Sequence, residues 1–378
     1  MKARYPFAVI KEKLHARGGE LLDFAIGARK VPLADELRDW VHANPGLALQ
    51  PASPDEVAAL KQAAVDFLQT EYDATVSSEQ IVPVPGGRVG MSAFIACVVA
   101  PGTGVVTTEP GYPAFARMAH HRHANVLNVY LDPEHAFAPD ISTISDAINV
   151  GVIALNYPNN PTAAVFSQDS RSAAADLARK HAAVVFNDAV YGPLTYDGHP
   201  TCLLTDHAAG NTGVQFVELH SLTKLYPLGP LSGSFLVGTD EQMQAIATYS
   251  EFAWSPMSTL QTRATTWCLG DASGRHRIRD FYAQQLAGLR DILVDLGFQP
   301  YPTPSGMYAL CRLPTHIAGQ AVGSAQEAAA FLLDDFDIAV MPWDVPGNSY
   351  LRFCSMYSDQ DVEKLAGVKD RLRLGGGD

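Results

Sequence analysis

The chain predicts an α/β protein, with a mostly parallel sheet sandwiched by helices in a large domain and a smaller α+β domain beside it. Three observations lead there. Between about residues 80 and 240, short apolar and β-branched runs alternate with helical stretches, the pattern of a parallel sheet covered on both faces. Beyond about residue 245 the texture changes to a long helix, short strands and a final helix. A length of 378 residues, 47% of them hydrophobic, exceeds what one domain usually needs.

The elements follow in order. PVPGGRVGMSAFIACVV places a turn at Gly86-Gly87 and a helix starting near Arg88. Strands are predicted at Gly104–Thr108, Val126–Leu131, Val152–Asn156, Ala183–Asn187, Phe216–His220 and Ser234–Gly238, with a helix over Asp169–His181 among them. The second region opens on a helix at Arg277–Leu296, continues through GMYALCRL and SYLRFCSM as strands, and closes on a helix near Gln360–Leu372. The large domain is expected over 41–245, and the small one over 1–40 and 246–378. Parallel sheets bind ligands beyond the carboxyl ends of their strands, and a small-molecule site between two domains is common.

Charge narrows the partners. The net charge is −13, and no lysine- or arginine-rich block occurs, so neither nucleic acid nor an anionic membrane is expected to bind. Five dispersed cysteines without a C-x-x-C pair read as reduced thiols, which fits a cytoplasmic protein. The start, MKARYPFAVIKEKL, becomes charged again after a few apolar residues, and predicts no signal peptide. The run near Met91–Ala100 is too short to cross a bilayer.

Chemistry concentrates at three strand ends. In VELHSLTKLYPLGPL a strand delivers Lys224 behind Ser221 and Thr223. A lysine so placed suits imine chemistry with an aldehyde, because burial favours its neutral, nucleophilic form. S-x-x-K also occurs in serine acyl-enzymes. In FNDAVYGPL, Asp188 ends a strand and can hold a ring nitrogen protonated, although a lone aspartate there also reads as a turn or helix cap. Tyr191 reads as a phenol donor or a packed aromatic, and Val190 as an apolar floor. NYPNNPTA carries Asn160, an amide donor or simply a turn residue before Pro161. Arg352, in YLRFCS, sits among apolar residues and requires an anion, either a substrate carboxylate or an internal partner. The histidines between His120 and His123 lack metal-ligand spacing and read as a solvated helix end.

Taken together and in this order, NYPNNPTA, FNDAVYGPL and HSLTKLYPL resemble the fold-type I, class I/II aminotransferases that use pyridoxal 5′-phosphate. The separations of Asn160, Asp188, Lys224 and Arg352 match the residues of that family. The resemblance implies a homodimeric transferase that moves an amino group between an L-amino acid and a 2-oxo acid. Lys224 would carry the cofactor, Asp188 face its ring nitrogen, Asn160 and Tyr191 its ring oxygen, and Tyr112 stack on the ring. Gly87, Arg88 and Ser221 would form the phosphate cup, while Arg352 and Gly27 meet the substrate carboxylate. Arg29 and Lys30 read equally as contacts to the substrate side chain or as solvated charges, and Trp254 and Trp343 are candidates to line the pocket.

Three departures stand out. The arginine usual eight residues after the lysine is Ser232, with Gly229-Pro230 inverted beside it; Arg88 is the candidate to supply that charge. No tyrosine occurs in LALQPASPDEV, where many relatives reach the neighbouring subunit's phosphate, and Ala163 replaces the usual glycine. Lyases of the same fold, which decarboxylate or eliminate, share these anchors and remain the alternative. A cofactor-binding regulator or degenerate scaffold is the non-catalytic one; its usual DNA-binding domain has no counterpart in the short, weakly basic N-terminus.

Overall fold

The computed structural model describes residues 12, 21–26, 31, 33–141, 144, 149–196, 198, 200, 202, 203 and 213–375. They group into two compact units. One comprises Val31–Asn160 and Ala164–Arg279; the other comprises Pro161–Ala163 and Asp280–Asp378 with the described residues before Val31.

In the larger unit, helices α1 (Asp35–Ala43) and α2 (Pro54–Tyr72) precede the sheet. Helix α2 starts at a capping box, in which Ser53 and Glu56 each satisfy the other's backbone N–H, and Pro54 sits where no N–H is needed. The sheet then accumulates from β1 (Ile81–Val84), β2 (Gly104–Glu109), β3 (Asn125–Tyr130), β4 (Val150–Leu155), β5 (Val184–Asp188), β6 (Gln215–Ser221) and β7 (Ser234–Gly238). Helices α3 (Gly87–Val98), α4 (Ala114–His121) and α5 (Gln168–His181) alternate with them, and α6 (Asp240–Ala253) and α7 (Thr259–Gly270) follow.

Strand order is β1-β7-β6-β5-β4-β2-β3. All neighbours from β6 to β3 are parallel, and β7 alone runs opposite to both of its neighbours. The predicted strands therefore recur within a residue or two of their expected bounds. Their residues are apolar on both faces because helices cover both, as β5 shows with five buried residues in VVFND. Phe94 of α3 and Phe115 of α4 meet Phe186 of β5 at ring-centroid distances of 4.7 and 5.1 Å, forming the core of one face.

The opposite face carries an ion pair. Glu71 at the end of α2 accepts from Arg275 Nε at 2.8 Å, both side chains almost wholly buried. Arg275 opens the long helix α8 (Ala272–Asp295), donates to the carbonyls of Cys268 and Leu269, and lies over the Phe67 ring.

The smaller unit contains β8 (Tyr308–Arg312), α9 (Ala325–Phe336), β9 (Met341–Val345), β10 (Asn348–Cys354) and α10 (Asp359–Leu372). Its antiparallel sheet has the order β9-β10-β8. Leu22–Asp23 pairs in parallel with Ile338–Ala339, which ties the N-terminal segment to this unit. Among the described residues, no helix is long and apolar enough to cross a membrane.

Removing one partner of a buried ion pair strands the other charge. Glu71→Leu is therefore expected to lower unfolding free energy by ~3–5 kcal/mol in urea titration; a loss within experimental error would show that Arg275 is satisfied by its carbonyl partners alone.

Candidate active site

Three parallel strands end side by side, and each contributes a loop to the same edge of the sheet: residues 156–160 after β4, Asp188–Tyr191 at the end of β5, and Leu222–Lys224 after β6. Asp188 is the pivot. It is the last residue of β5, 5% exposed, and its Oδ1 is buried without a hydrogen-bond partner. Burial pushes its pKa up to about 7; the Val190 amide and the Lys224 charge pull the other way but do not overcome it. A carboxylate oxygen left bare in a buried site is costly unless a cation or donor arrives to meet it.

Three asparagines lock the loops around it. Asn156 Nδ2 donates to the Asp188 carbonyl at 2.9 Å, and its Oδ1 accepts from the Asn160 N–H at 3.1 Å. Asn187, on the other face of β5, accepts from Tyr157 N at 2.9 Å and donates to Tyr157 O at 3.1 Å and Glu218 Oε1 at 2.8 Å. Glu218 in turn accepts from the Leu203 N–H. The position of Asn160 relative to Asp188 is thus set by side-chain amides. Neither Asn156 nor Asn187 was assigned a role from sequence, because each reads locally as a strand end.

Lys224 ends a short 3₁₀ turn that opens at Ser221, whose hydroxyl accepts the Thr223 N–H. The lysine is half-buried rather than enclosed, because this turn carries it off the end of the strand. Its Nζ stands 5.7 Å from the centroid of the buried Tyr191 ring. Tyr112 shares a small cleft with Asp188, Asn156, Thr107 and Phe186. The structure therefore brings Asp188 together with Lys224 and with Tyr112, and ties Asn160 to the same loops.

The helix N-terminus lies beside them. Gly87 begins α3 at the edge formed by β7 and β6, where an added Cβ would stand 3.4 Å from Leu219 Cδ2 and 3.9 Å from Ser234 Oγ. Ser234 Oγ donates to Ser221 Oγ at 2.8 Å, as the β6–β7 register requires. Gln261 of α7 donates to the carbonyls of Pro85 and Pro230, clamping both loops of this corner. Arg88 projects into solvent from the first turn of α3, and Ser232 is buried with its hydroxyl on the Tyr226 carbonyl. Ser234 and Gln261 carry no local signal; strand register and a contact across 176 residues place them.

In the smaller unit, Arg352 lies in β10, 1% exposed. Its Nη2 donates to the Ala25 carbonyl at 2.6 Å, and its guanidinium carbon sits 3.9 Å from the Tyr308 ring centroid and 5.5 Å from that of Trp343. Gly27, Arg29 and Lys30 lie outside the described residues. The histidines at 120–123 are exposed at the end of α4, and among the described residues no cluster of His, Cys, Asp and Glu could hold a metal.

Comparison with known proteins agrees with this architecture. Residues 23–368 match the family described as aminotransferase class I and II. An LL-diaminopimelate aminotransferase from Methanocaldococcus jannaschii is 28% identical over 87% of this chain and 77% of its own. Transaminase BacF of Bacillus subtilis is 24% identical over 83% of this chain and 79% of its own. The substrate-bound BacF structure superposes with a TM-score of 0.88 at 21% identity, covering 99% of this chain and 97% of that one. A Thermus thermophilus aspartate aminotransferase double mutant gives 0.83, also at 21%, over 98% and 97% of the two chains.

The site and the sheet belong to a fold-type I transferase. The chain is a member of the class I and II aminotransferase family, and its reaction is transfer of an amino group between an amino acid and a 2-oxo acid.

Asp188 makes stability depend on pH. Between its ordinary value of 3.8 and about 7, the folded chain without cofactor binds more protons than the unfolded one. Stability therefore falls as pH rises through that window, by at most ~4 kcal/mol. Asp188→Asn should remove this slope, making the cofactor-free variant more stable than the parent at pH 8 but not at pH 4. Urea titrations at both values measure it, and a gain that ignores pH would contradict the assignment.

Proposed function

We propose that this aminotransferase works with pyridoxal 5′-phosphate held between β5, β6 and the N-terminus of α3. The observation that carries the reading is the buried, unpartnered Asp188 Oδ1 at the strand end adjoining that of Lys224. The residues present fit the group: an acid for its ring nitrogen, an amine for its aldehyde, a phenol and an amide for its ring oxygen, and hydroxyls with a helix N-terminus for its phosphate. When bound, it supplies an aldehyde for amine exchange and a ring that delocalises the electron pair left by a broken Cα–H bond.

The chain's own groups do the rest. Lys224 would provide the amine of attachment; once displaced by the substrate amine, its free ε-amine would carry a proton from the substrate Cα to the former aldehyde carbon, two bonds away. Asp188, as a carboxylate, keeps the ring nitrogen protonated. Asn160 and Tyr191 would donate to the ring oxygen, and Tyr112 and Val190 would supply apolar contact to the ring. The N-terminus of α3 at Gly87 and the Ser221 hydroxyl would take the phosphate, while Arg88 stays exposed on the helix surface. Arg352 would fork onto the α-carboxylate, its guanidinium carbon 3.9 Å from the Tyr308 ring centroid and its Nη2 donating to the Ala25 carbonyl. We further propose a homodimer acting in the cytoplasm; the five free cysteines suit a reducing compartment.

Purified protein should be yellow and should change its visible spectrum on adding an amino acid. Lys224→Ala is expected to abolish both the absorbance of the lysine-bound cofactor and amino transfer to a 2-oxo acid; normal turnover by this variant would refute the assignment. Arg352→Lys keeps the charge but loses the fork, and kcat/KM for the amino acid should fall about a hundredfold. The substrate screen should include LL-diaminopimelate and aspartate, named in relatives, and should follow release of carbon dioxide and ammonia as well as keto acid.

A further inference from the structure

We propose that the phosphate subsite is a neutral one, in which a chain of hydroxyls, Ser234, Ser221 and Thr223, does what a buried guanidinium would otherwise do. The proposal rests on the cofactor reading above and extends it to the chemistry of this one corner.

The observations are geometric. The β6–β7 register sets Ser221 opposite Ser234, and the β1–β7 register sets Ser234 opposite Val84, three residues before Gly87. The three hydroxyls therefore gather next to the first turn of α3. Ser234 Oγ, itself buried, donates to Ser221 Oγ at 2.8 Å. Ser221 Oγ also accepts the Thr223 N–H at 3.2 Å and lies 2.9 Å from Thr223 Oγ1. Both lone pairs of Ser221 are thus occupied, which leaves it only a proton to offer. It passes that proton to Thr223 or to a ligand, so the end of the chain facing outward is always an O–H donor. Hydroxyls aligned head to tail in this way polarise one another. Combined with the exposed N–H groups of a helix N-terminus, they make a receptor for an anion.

Charge is absent where a guanidinium would be expected. Position 232 is a buried serine turned to the Tyr226 carbonyl, and it cannot reach outward while it does so. Arg88 extends into water from the α3 surface, where screening weakens its pull on a ligand behind the helix end. The corner is stiff all the same. Gln261 clamps Pro85 to Pro230, and at Gly233 an added Cβ would stand 2.4 Å from Thr265 Oγ1. Pre-organisation of neutral donors takes the place of electrostatic attraction.

The test compares equilibrium binding of pyridoxal 5′-phosphate and of pyridoxal, which lacks the phosphate, to cofactor-free protein, read from the visible absorbance of the lysine-bound form. Ser234→Ala frees a lone pair on Ser221 and breaks the chain of donors. Its Kd for the phosphorylated cofactor should rise about tenfold while that for pyridoxal stays as in the parent. Arg88→Ala should change neither by more than about threefold. If Arg88→Ala causes the large loss and Ser234→Ala none, the subsite is a charged one and the proposal is overturned. A parallel loss of both ligands in Ser234→Ala, with a lowered melting temperature, would mark a folding defect; Ser221→Ala and Thr223→Val then decide, since each must reproduce the phosphate-selective loss. If the parent forms no lysine-bound species with either ligand, it is the cofactor reading that fails.

Discussion

A single carboxyl group organises this active site: Asp188, buried at the end of a parallel strand with one oxygen facing no donor. The fold tolerates it because the strand is short and its neighbours over-determine its position. Helices cover both faces, so the strand cannot slip, and the Asn156 amide holds the carbonyl of the same residue. A folded protein that keeps such a group must recover the cost elsewhere, and the partner proposed for it, a protonated ring nitrogen, matches it in charge and chemistry. Lys224 leaves the adjacent strand, so a ligand attached to it covalently would present that nitrogen to the acid.

The asparagine lattice explains how a loop-built site becomes rigid. Asn187 grips both backbone groups of Tyr157 from beneath the sheet and is itself anchored by Glu218, while Asn156 joins Asn160 to Asp188 from above. Loops so tied move with their strands. Gln261 performs the same service where the Pro85 and Pro230 loops meet, reaching them from a helix far along the chain. The reactive groups are few; the groups that place them are more numerous and mostly amides.

Much of this was legible in the sequence, for a physical reason. Parallel strands covered on both sides must be apolar throughout, so they stand out as runs, and the residues that follow them necessarily share one edge of the sheet. Asp188, Lys224 and Asn160 could therefore be grouped before any coordinates. Tertiary contacts could not be read that way. Ser234 meets Ser221 only because β7 runs antiparallel to β6, and nothing local to FLVG announces that direction. Lys224 was expected to be buried, but the 3₁₀ turn opening at Ser221 leaves it half-buried. Arg88 was the candidate to replace the missing guanidinium, and its exposed position on the helix surface is decided by the helical phase of α3, which the boundary at Gly87 sets.

The most direct measurement of the central claim is the nitrogen-15 NMR shift of the cofactor's ring nitrogen, followed against pH with labelled pyridoxal 5′-phosphate bound to the protein. The account predicts a protonated nitrogen well above the pH at which the free cofactor loses that proton, and an unprotonated one in Asp188→Asn. A ring nitrogen that titrates as it does in free solution, unchanged by that substitution, would contradict it.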